Sequence, residues 1–373
     1  MTEQRQRVLH VILKVQPTNG QYNEHCLPLA DERRITICSF LPTTLDPPKT
    51  IRLFAGDGTL RGGWQALGKA LAVEDHDVVH VHAPQTGAIY IVKGLQSRGL
   101  RNAVYTVQNS HGNYRRRNRM LMVPIFLAYP RVVFCSEAAW ESMPRHLRWL
   151  ARAKHHIVPN AVDLSAIDRA LSDVTDDHQG FRVGFLSRLI PIKNPQTVLA
   201  AVAACDVPGT ELVVVGDGEL RSELEDLADG ESLRGRVTFT GMVERNEVYR
   251  HMAAADVCVS ASRGEGLPVA VLEAMACGCP VVLSDIAPHR EIAAGTAFIP
   301  LVDPDDVAGF TREIQRIANL SPAERATLGS DCRQIVERRY SLKAMHEKYV
   351  PIYAAAARAV RQAPRHPLRR LSR

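Results

Sequence analysis

A chain of 373 residues, 46% hydrophobic and 23% charged, has ordinary globular composition and enough length for two cores, which excludes a disordered polypeptide. Its formal charge of +6 is unevenly spread: residues 1–163 carry 21 Lys and Arg against 12 Asp and Glu, residues 164–337 carry 15 against 27, and residues 338–373 carry 10 against 1. A basic half, an acidic half and a basic tail are expected to meet different partners. The eight cysteines are scattered and form no CxxC pair, the usage of reduced thiols in a cytoplasmic protein. The N-terminus opens directly into a strand pattern without a signal-peptide h-region. The longest uncharged apolar run, Met120–Pro130, is far shorter than the roughly 20 residues of a membrane-spanning helix. This excludes an integral membrane protein and leaves a peripheral one open.

Taken in chain order, short β-branched runs alternate with helical patterns. Val8–Val15, Ile35–Phe40, Val78–His82, Ala103–Val107 and Arg131–Ser136 read as buried strands, with helices such as Leu60–Ala72 and Gly87–Gly99 between them. The alternation resumes at Arg182–Leu186, Glu211–Gly216, Val237–Thr240, Val257–Ser260 and Pro280–Ser284. Ten strands in this pattern form two parallel sheets with helices on both faces, an α/β class. The break lies near His156–Asp163, where a short strand ends at a Pro-Asn turn, and a hinge is expected at about 160–180. Ser341–Ala363 reads as a late Ala-rich helix, and Pro364–Arg373 as a frayed basic tail.

Chemistry concentrates in Ser262–Val282, SRGEGLPVAVLEAMACGCPVV. A strand ends and a Gly-flanked loop presents Glu265. Pro268 is placed to start a helix, and Gly278 to end it. The helix start near Leu267–Val269 offers free N–H groups and a positive dipole end to an anion. Glu273 sits one to two turns inside, and both acids can border one pocket outside the carboxyl ends of the strands. The bland alternative is an ordinary crossover with two solvated acids.

The E-x7-E pair Glu265/Glu273 within EGLPVAVLEAMACGCPVV closely resembles the signature of the retaining, GT-B-fold nucleotide-sugar glycosyltransferases of family 4. Gly184–Asn194 is similar to that family's GRL…KN segment, Leu212–Leu220 to its VGdGpe strand and turn, Phe239–Val243 to its F.G.v segment, and Val158–Asp163 to its vPNGvD turn. Asp77–His82 is similar to its N-domain strand. The resemblance implies a GT-B fold of two Rossmann-like domains facing across a cleft. Residues 1–163 would be the acceptor-side domain, 164–340 the nucleotide-sugar domain, and 341–373 a helix crossing back to the first domain plus the tail. It implies that Arg188 and Lys193 hold the donor diphosphate and stabilise the charge that grows on it. Glu265 would contact the donor sugar, Glu273 the ribose hydroxyls, the backbone of Gly266 and Leu267 the phosphate, and the backbone of Met242 and Val243 the base. Gly216 belongs to the donor-side turn, and Asn19-Gly20 stand where the family places a Gly-rich loop.

The family's usual T-x-H strand end is replaced here: Gln108 stands at the His position, with His111 nearby in the loop. A Gln amide donates a hydrogen bond but cannot act as an acid at neutral pH. The resemblance implies no metal and no cofactor beyond the nucleotide-diphosphate sugar as co-substrate. Two competing readings stand beside a glycosyltransferase: a GT-B-like sugar phosphorylase or epimerase, and a non-catalytic partner subunit that keeps the donor fold. His80 and His82 share one face of a strand, His82 placed to line the cleft and His80 to pack, and a zinc reading lacks further ligands. Arg115–Arg119 precede the apolar Met120–Tyr129, read either as a peripheral contact with anionic lipid or a lipid-diphosphate acceptor, or as a solvated helix start. The acceptor is expected to be a glycan or lipid-linked molecule. No stacking aromatics interleave the basic runs, so nucleic acid is not an expected partner.

Overall fold

The structure is a computed structural model that describes residues 5–16, 19–97, 99–172, 178 and 180–362. The expected tail Pro364–Arg373 and most of the polar stretch at 173–179 lie outside the described residues. In chain order the elements are β1 (Arg7–Ile12), α1 (Gly20–His25), β2 (Arg34–Ser39), β3 (Ile51–Ala55), α2 (Leu60–Ala72), β4 (Val78–His82), α3 (Pro84–Ser97), β5 (Ala103–Val107), α4 (Arg116–Ala128), β6 (Val132–Phe134), α5 (Glu137–Glu141), α6 (Arg145–Ala151) and β7 (His155–Ile157). They continue with α7 (Leu164–Leu171), β8 (Phe181–Leu186), α8 (Pro195–Ala203), β9 (Thr210–Val215), α9 (Arg221–Ala228), β10 (Val237–Gly241), α10 (Arg245–Ala253), β11 (Val257–Ser260) and α11 (Val269–Ala276). The last are β12 (Val281–Ser284), α12 (Ala287–Ala293), β13 (Leu301–Val302), α13 (Val307–Ala318), α14 (Pro322–Arg339) and α15 (Leu342–Arg361).

Two parallel sheets form, one of seven strands ordered β3-β2-β1-β4-β5-β6-β7 and one of six ordered β10-β9-β8-β11-β12-β13. Ten strands were expected from the hydrophobic runs, and the short strand expected before the Pro-Asn turn is β7; β3 and β13 are additional. β13 holds two residues, too short to show a pattern, and β3 is a half-exposed edge strand rather than an apolar run. The late helix runs Leu342–Arg361, one residue inside the expected start at Ser341. Pro268 is the N-cap of α11 rather than its first residue, while Gly278 at φ +79° follows the C-cap Cys277.

The described residues fall into two compact units. The first gathers those within Met1–Cys135, Met143–Val158 and His346–Arg373, the second those within Ser136–Ser142 and Pro159–Met345. In the first, the central strands are buried along their length: β4 and β5 have no exposed residue, as expected where helices cover both faces. Asp77 closes the start of this sheet, accepting the backbone N–H of Arg7 at 2.9 Å and pairing with its guanidinium at 3.0 Å. The later part of α15 belongs to this unit, with Tyr349, Ile352, Tyr353 and Ala356 buried in it. In the second unit Phe181, Val183 and Phe185 of β8 pack with Val257, Val259, Val282 and Phe310 in one core. Both sheets reverse direction once, between β1 and β4 and between β8 and β11. Such a switch point opens a crevice at the carboxyl ends of the strands, where ligands of open α/β sheets bind.

Candidate functional site

In the second unit, Arg188 and Lys193 follow β8 and Glu265 follows β11, so the three flank the switch point. Two glycines allow the loops to meet there. Gly216, at φ +130°, lies so near the β8 loop that a Cβ would stand 2.0 Å from the Ser187 carbonyl oxygen, and one at Gly218 would stand 2.4 Å from that of Leu189. The contact is bonded: Ser187 N–H donates to Val215 O at 3.1 Å and Leu189 N–H to Asp217 O at 2.9 Å. Arg188 is held between these bonds, with its guanidinium exposed and no hydrogen-bond or ion-pair partner among the described residues.

Lys193 closes a single 3-10 turn, Pro191–Lys193, and Asn194 then adopts the left-handed conformation at φ 53°, which Asn tolerates better than most side chains. Asn194 is buried and its amide donates to Pro304 O at 2.7 Å. The neighbouring loop is pinned to this turn, because Arg263 N–H donates to Ile192 O at 2.8 Å. Lys193 Nζ thereby reaches Glu265 Oε1 in a direct ion pair, with only 16% and 11% of the two side chains exposed. The same carboxylate oxygen accepts from Ser262 Oγ at 2.8 Å.

Behind Glu265 runs a relay of buried polar groups. Ser284 Oγ donates to Ser262 O at 2.6 Å, and His289 Nδ1 lies 2.9 Å from Ser284 O. A carbonyl only accepts, so Nδ1 carries the proton and Nε2 a lone pair, which has no partner among the described residues. Burial, partly opposed by the Ser284 bond and the Glu265 charge, lowers the His289 pKa to about 4. The ring is therefore neutral at physiological pH.

The loop between Glu265 and α11 is tied on its carbonyl side. Ser136 Oγ donates to Gly266 O at 2.7 Å, and Asn160 Nδ2 to Leu267 O at 3.4 Å. Across a trans peptide the N–H points opposite to the C=O, so Leu267 N–H is turned away from Ser136. Pro268 has no N–H, and the first amides of α11 lack intrahelical partners, so the helix start presents free donors. Glu273, buried inside α11, meets Arg245 of α10 at 2.5 Å and the Tyr249 hydroxyl at 3.4 Å. Burial raises its pKa against the opposing pull of Arg245. Met242 is exposed and Val243 half-buried in the loop after β10. The structure thus brings Lys193 and Glu265 together, sets Arg188 beside the Gly216 turn, and gives Glu273 two partners of its own. Sequence reasoning did not find Ser136, Arg245, Tyr249 or His289, all of which reach the site from distant segments.

The first-domain candidates lie in the other unit. Asn19 caps α1, its side chain accepting from Tyr22 N–H at 3.2 Å and donating to Lys14 O at 3.1 Å; a Cβ at Gly20 would meet Glu24 Oε1 at 2.7 Å. Gln108 follows β5, and its N–H donates to the Tyr114 hydroxyl at 3.2 Å. His111 opens a one-turn 3-10 helix, half-buried, with its pKa lowered by desolvation and by Arg119 and His146. Arg119 ties that loop by donating to the carbonyls of Tyr114, at 2.7 Å, and Gly112.

His82 does not line an open crevice: it is 1% exposed, packed with His80, His10 and His25. The parallel register sets His10 opposite His80, so further imidazoles do join the pair that sequence spacing left alone. Ring nitrogens of His10, His80 and His82 lie within 4.8 Å of one another. Both His80 nitrogens are already engaged at 2.6 Å, by the Tyr353 hydroxyl and Thr106 Oγ1, which fits a hydrogen-bonded core better than a ligand set.

Comparison with known proteins agrees with this architecture. Residues 180–319 match the family profile described as "Glycosyl transferases group 1", and residues 32–166 that described as "Glycosyltransferase Family 4". The chain is 25% identical over 306 residues to the UDP-Gal:alpha-D-GlcNAc-diphosphoundecaprenol alpha-1,3-galactosyltransferase of Escherichia coli, covering 77% of this chain and 78% of that one. It is 31% identical over 191 residues to the lipopolysaccharide core biosynthesis glycosyltransferase LpsE of Rhizobium meliloti, covering 51% and 54%. The crystal structure of Anabaena HepE in complex with UDP and glucose superposes with a TM-score of 0.75 at 17% identity, covering 94% of this chain and 100% of that one.

Proposed function

Starting from a glycosyltransferase of GT-B type, we propose that the chain moves a sugar, with retention of anomeric configuration, from a nucleoside diphosphate sugar to an acceptor hydroxyl. The acceptor would be a glycan, a lipid-linked precursor or a small molecule, used at the cytoplasmic side in cell-envelope or exopolysaccharide assembly. The observation that carries the reading is the placement of Arg188, Lys193 and Glu265 around one switch point beside the start of α11. Two cations and a set of free amides suit a diphosphate, whose charge rises as the glycosidic bond breaks. Lys193 is already held at the strand ends by its pair with Glu265, so little ordering is needed when the diphosphate arrives.

In this reading the bond between the anomeric carbon and the diphosphate oxygen breaks, and that oxygen takes the proton of the acceptor hydroxyl. The new bond forms on the same face of the sugar. Glu265, fixed by Ser262 and Lys193, would hold the sugar hydroxyls, and Glu273 the ribose, exchanging part of its contact with Arg245. Arg188, Lys193 and the helix end would do the work of a metal. The relative from E. coli, whose name states a diphosphoundecaprenol-linked acceptor, and the fold neighbour bound to UDP make UDP-sugars and polyprenyl diphosphate acceptors the first to test.

The test is a thermal-shift panel of UDP, GDP, ADP, dTDP and their sugars without metal, followed by a labelled-donor assay. The expected result is a selective metal-free shift and label in an acceptor. Sugar 1-phosphate formed from inorganic phosphate, or an epimerised free donor, would replace the transferase reading. No shift from any nucleotide would refute the donor site.

A further inference from the structure

We propose that the face built from α4 and α6 docks on an anionic lipid bilayer. The first observation is electrostatic. No Asp or Glu occurs from Val78 to Ser136, or from Met143 to Val158, although these stretches carry a dozen Lys and Arg. Arg115, Arg116 and Arg117 at the start of α4 are exposed and have no acidic partner among the described residues. Segments without carboxylates of their own attract anionic headgroups with little internal competition, the exposed Glu137 and Glu141 between the two stretches belonging to the other unit.

The second observation is apolar. Helix α4 buries Met122, Ile125 and Phe126 completely, so its inward face is accounted for. Its outward face nevertheless carries Met120 at 75%, Val123 at 38% and Leu127 at 61% exposure. Their spacing of three and then four residues makes one stripe. Helix α6 packs against α4 and adds Trp149, 62% exposed, with the Arg152 guanidinium 5.5 Å from its ring centre. Lys154 Nζ donates to Leu127 O at 3.2 Å and ties the segment after α6 to the end of the stripe. A stripe of Met, Val and Leu flanked by arginines and one exposed Trp has the make-up of a helix lying in the headgroup layer, with Trp at the interface. A protein partner would have to supply both an apolar groove and carboxylates; an anionic bilayer supplies apolar depth and negative charge together. No helix among the described residues is long and apolar enough to cross a membrane, so this contact would lie on the surface. The inference stands independently of the donor reading.

The experiment is co-sedimentation of the full chain with vesicles of phosphatidylcholine alone or rich in phosphatidylglycerol, at low and high salt. Binding to the anionic vesicles, weakened by salt, is expected. The variant Arg115→Ser/Arg116→Ser/Arg117→Ser should bind about 100-fold more weakly, at roughly five-fold per lost cation near the surface. The variant Met120→Ser/Leu127→Ser/Trp149→Ser should also lose binding, with an unchanged melting temperature. Trp149→Phe should remove the blue shift of tryptophan emission on vesicle addition. Absence of binding to anionic vesicles, or binding that survives both triple variants, overturns the proposal. So does a lipid-free dimer that the apolar variant dissolves, since a second copy would then cover the face. Nucleotide thermal shifts on the same variants report separately on the donor site.

Discussion

Replacing Gly216 by Ala should damage the donor half more than any other single methyl group at a left-handed glycine. The added Cβ would stand 2.0 Å from the Ser187 carbonyl oxygen, and real Cβ atoms essentially never come within 3.0 Å of another atom, so the β8 loop must retreat by about 1 Å. A non-glycine residue at φ +130° costs about 1–3 kcal/mol by itself. Retreat also strains the backbone bonds that tie the β8 loop to this turn, Ser187 to Val215 and Leu189 to Asp217. At about 1 kcal/mol each, losing one or two brings the total to roughly 2–5 kcal/mol. For a unit of this size that lowers the melting temperature by roughly 10 °C. Gly295→Ala is the matched control, because Gly295 sits at φ +82° with nothing within 4 Å of an added Cβ. It should cost only about 1–2 kcal/mol. Differential scanning calorimetry of the two variants, with nucleotide titration of Gly216→Ala, decides the matter. Equal melting temperatures would show that loop contact does not fix Arg188.

Arg188→Ala should leave the folding stability within about 0.5 kcal/mol of the parent, because the side chain is exposed and unpaired among the described residues. It should lower kcat/KM by about 100-fold or more through loss of charge stabilisation at the diphosphate; unchanged turnover would remove Arg188 from the site. Arg245→Ala leaves the buried Glu273 without its 2.5 Å partner and should cost about 1–3 kcal/mol, much of it regained in Arg245→Ala/Glu273→Gln. A double-mutant cycle in urea measures this, and strict additivity would contradict the pairing. Burial holds the pKa of His10, His25, His80 and His82 well below 6.5 and that of His289 at about 4. Below about pH 6.5 the unfolded chain binds protons that the folded chain refuses. Stability should therefore be full above that pH and fall on acidification, for His289 across the window from 6.5 to 4, by up to about 1.4 kcal/mol per pH unit for each ring. Urea midpoints that stay flat between pH 7 and 5 would contradict this.

The elements that could be read directly are those whose burial follows one period. Leu60–Ala72 is a helix over its whole expected span because Gly63, Ala66, Leu67 and Ala70 face inward at helical spacing. Val78–His82 and Ala103–Val107 are strands as expected because every residue in them is buried. Ile51–Ala55 escapes such reading, since an edge strand covered on one side mixes exposed and buried positions without an apolar run. At the site, the loop and helix of Ser262–Val282 were visible because Gly and Pro punctuate them. Helix α10 was not, because Arg245 reads as a solvated residue until Glu273 on another helix is placed against it. His289 is likewise silent in sequence: its importance comes from a buried serine carbonyl, not from its neighbours. The imidazole cluster depends on the register of β1 against β4, which joins residues 70 positions apart and which no local pattern encodes.

The route of the chain between its two units has a consequence for biosynthesis. The first unit takes residues up to Cys135 and from Met143 to Val158, and then waits until His346 for its last helix. Those 187 intervening positions take roughly 10–40 s to translate at cellular rates. During that interval His80 lacks the Tyr353 hydroxyl, and the faces later covered by Tyr349, Ile352 and Tyr353 stand open. The second unit can fold from Pro159 to Met345 with only the short 136–142 segment borrowed from upstream. The half made first would therefore mature last, and a nascent chain stalled before α15 would be the species most in need of a chaperone.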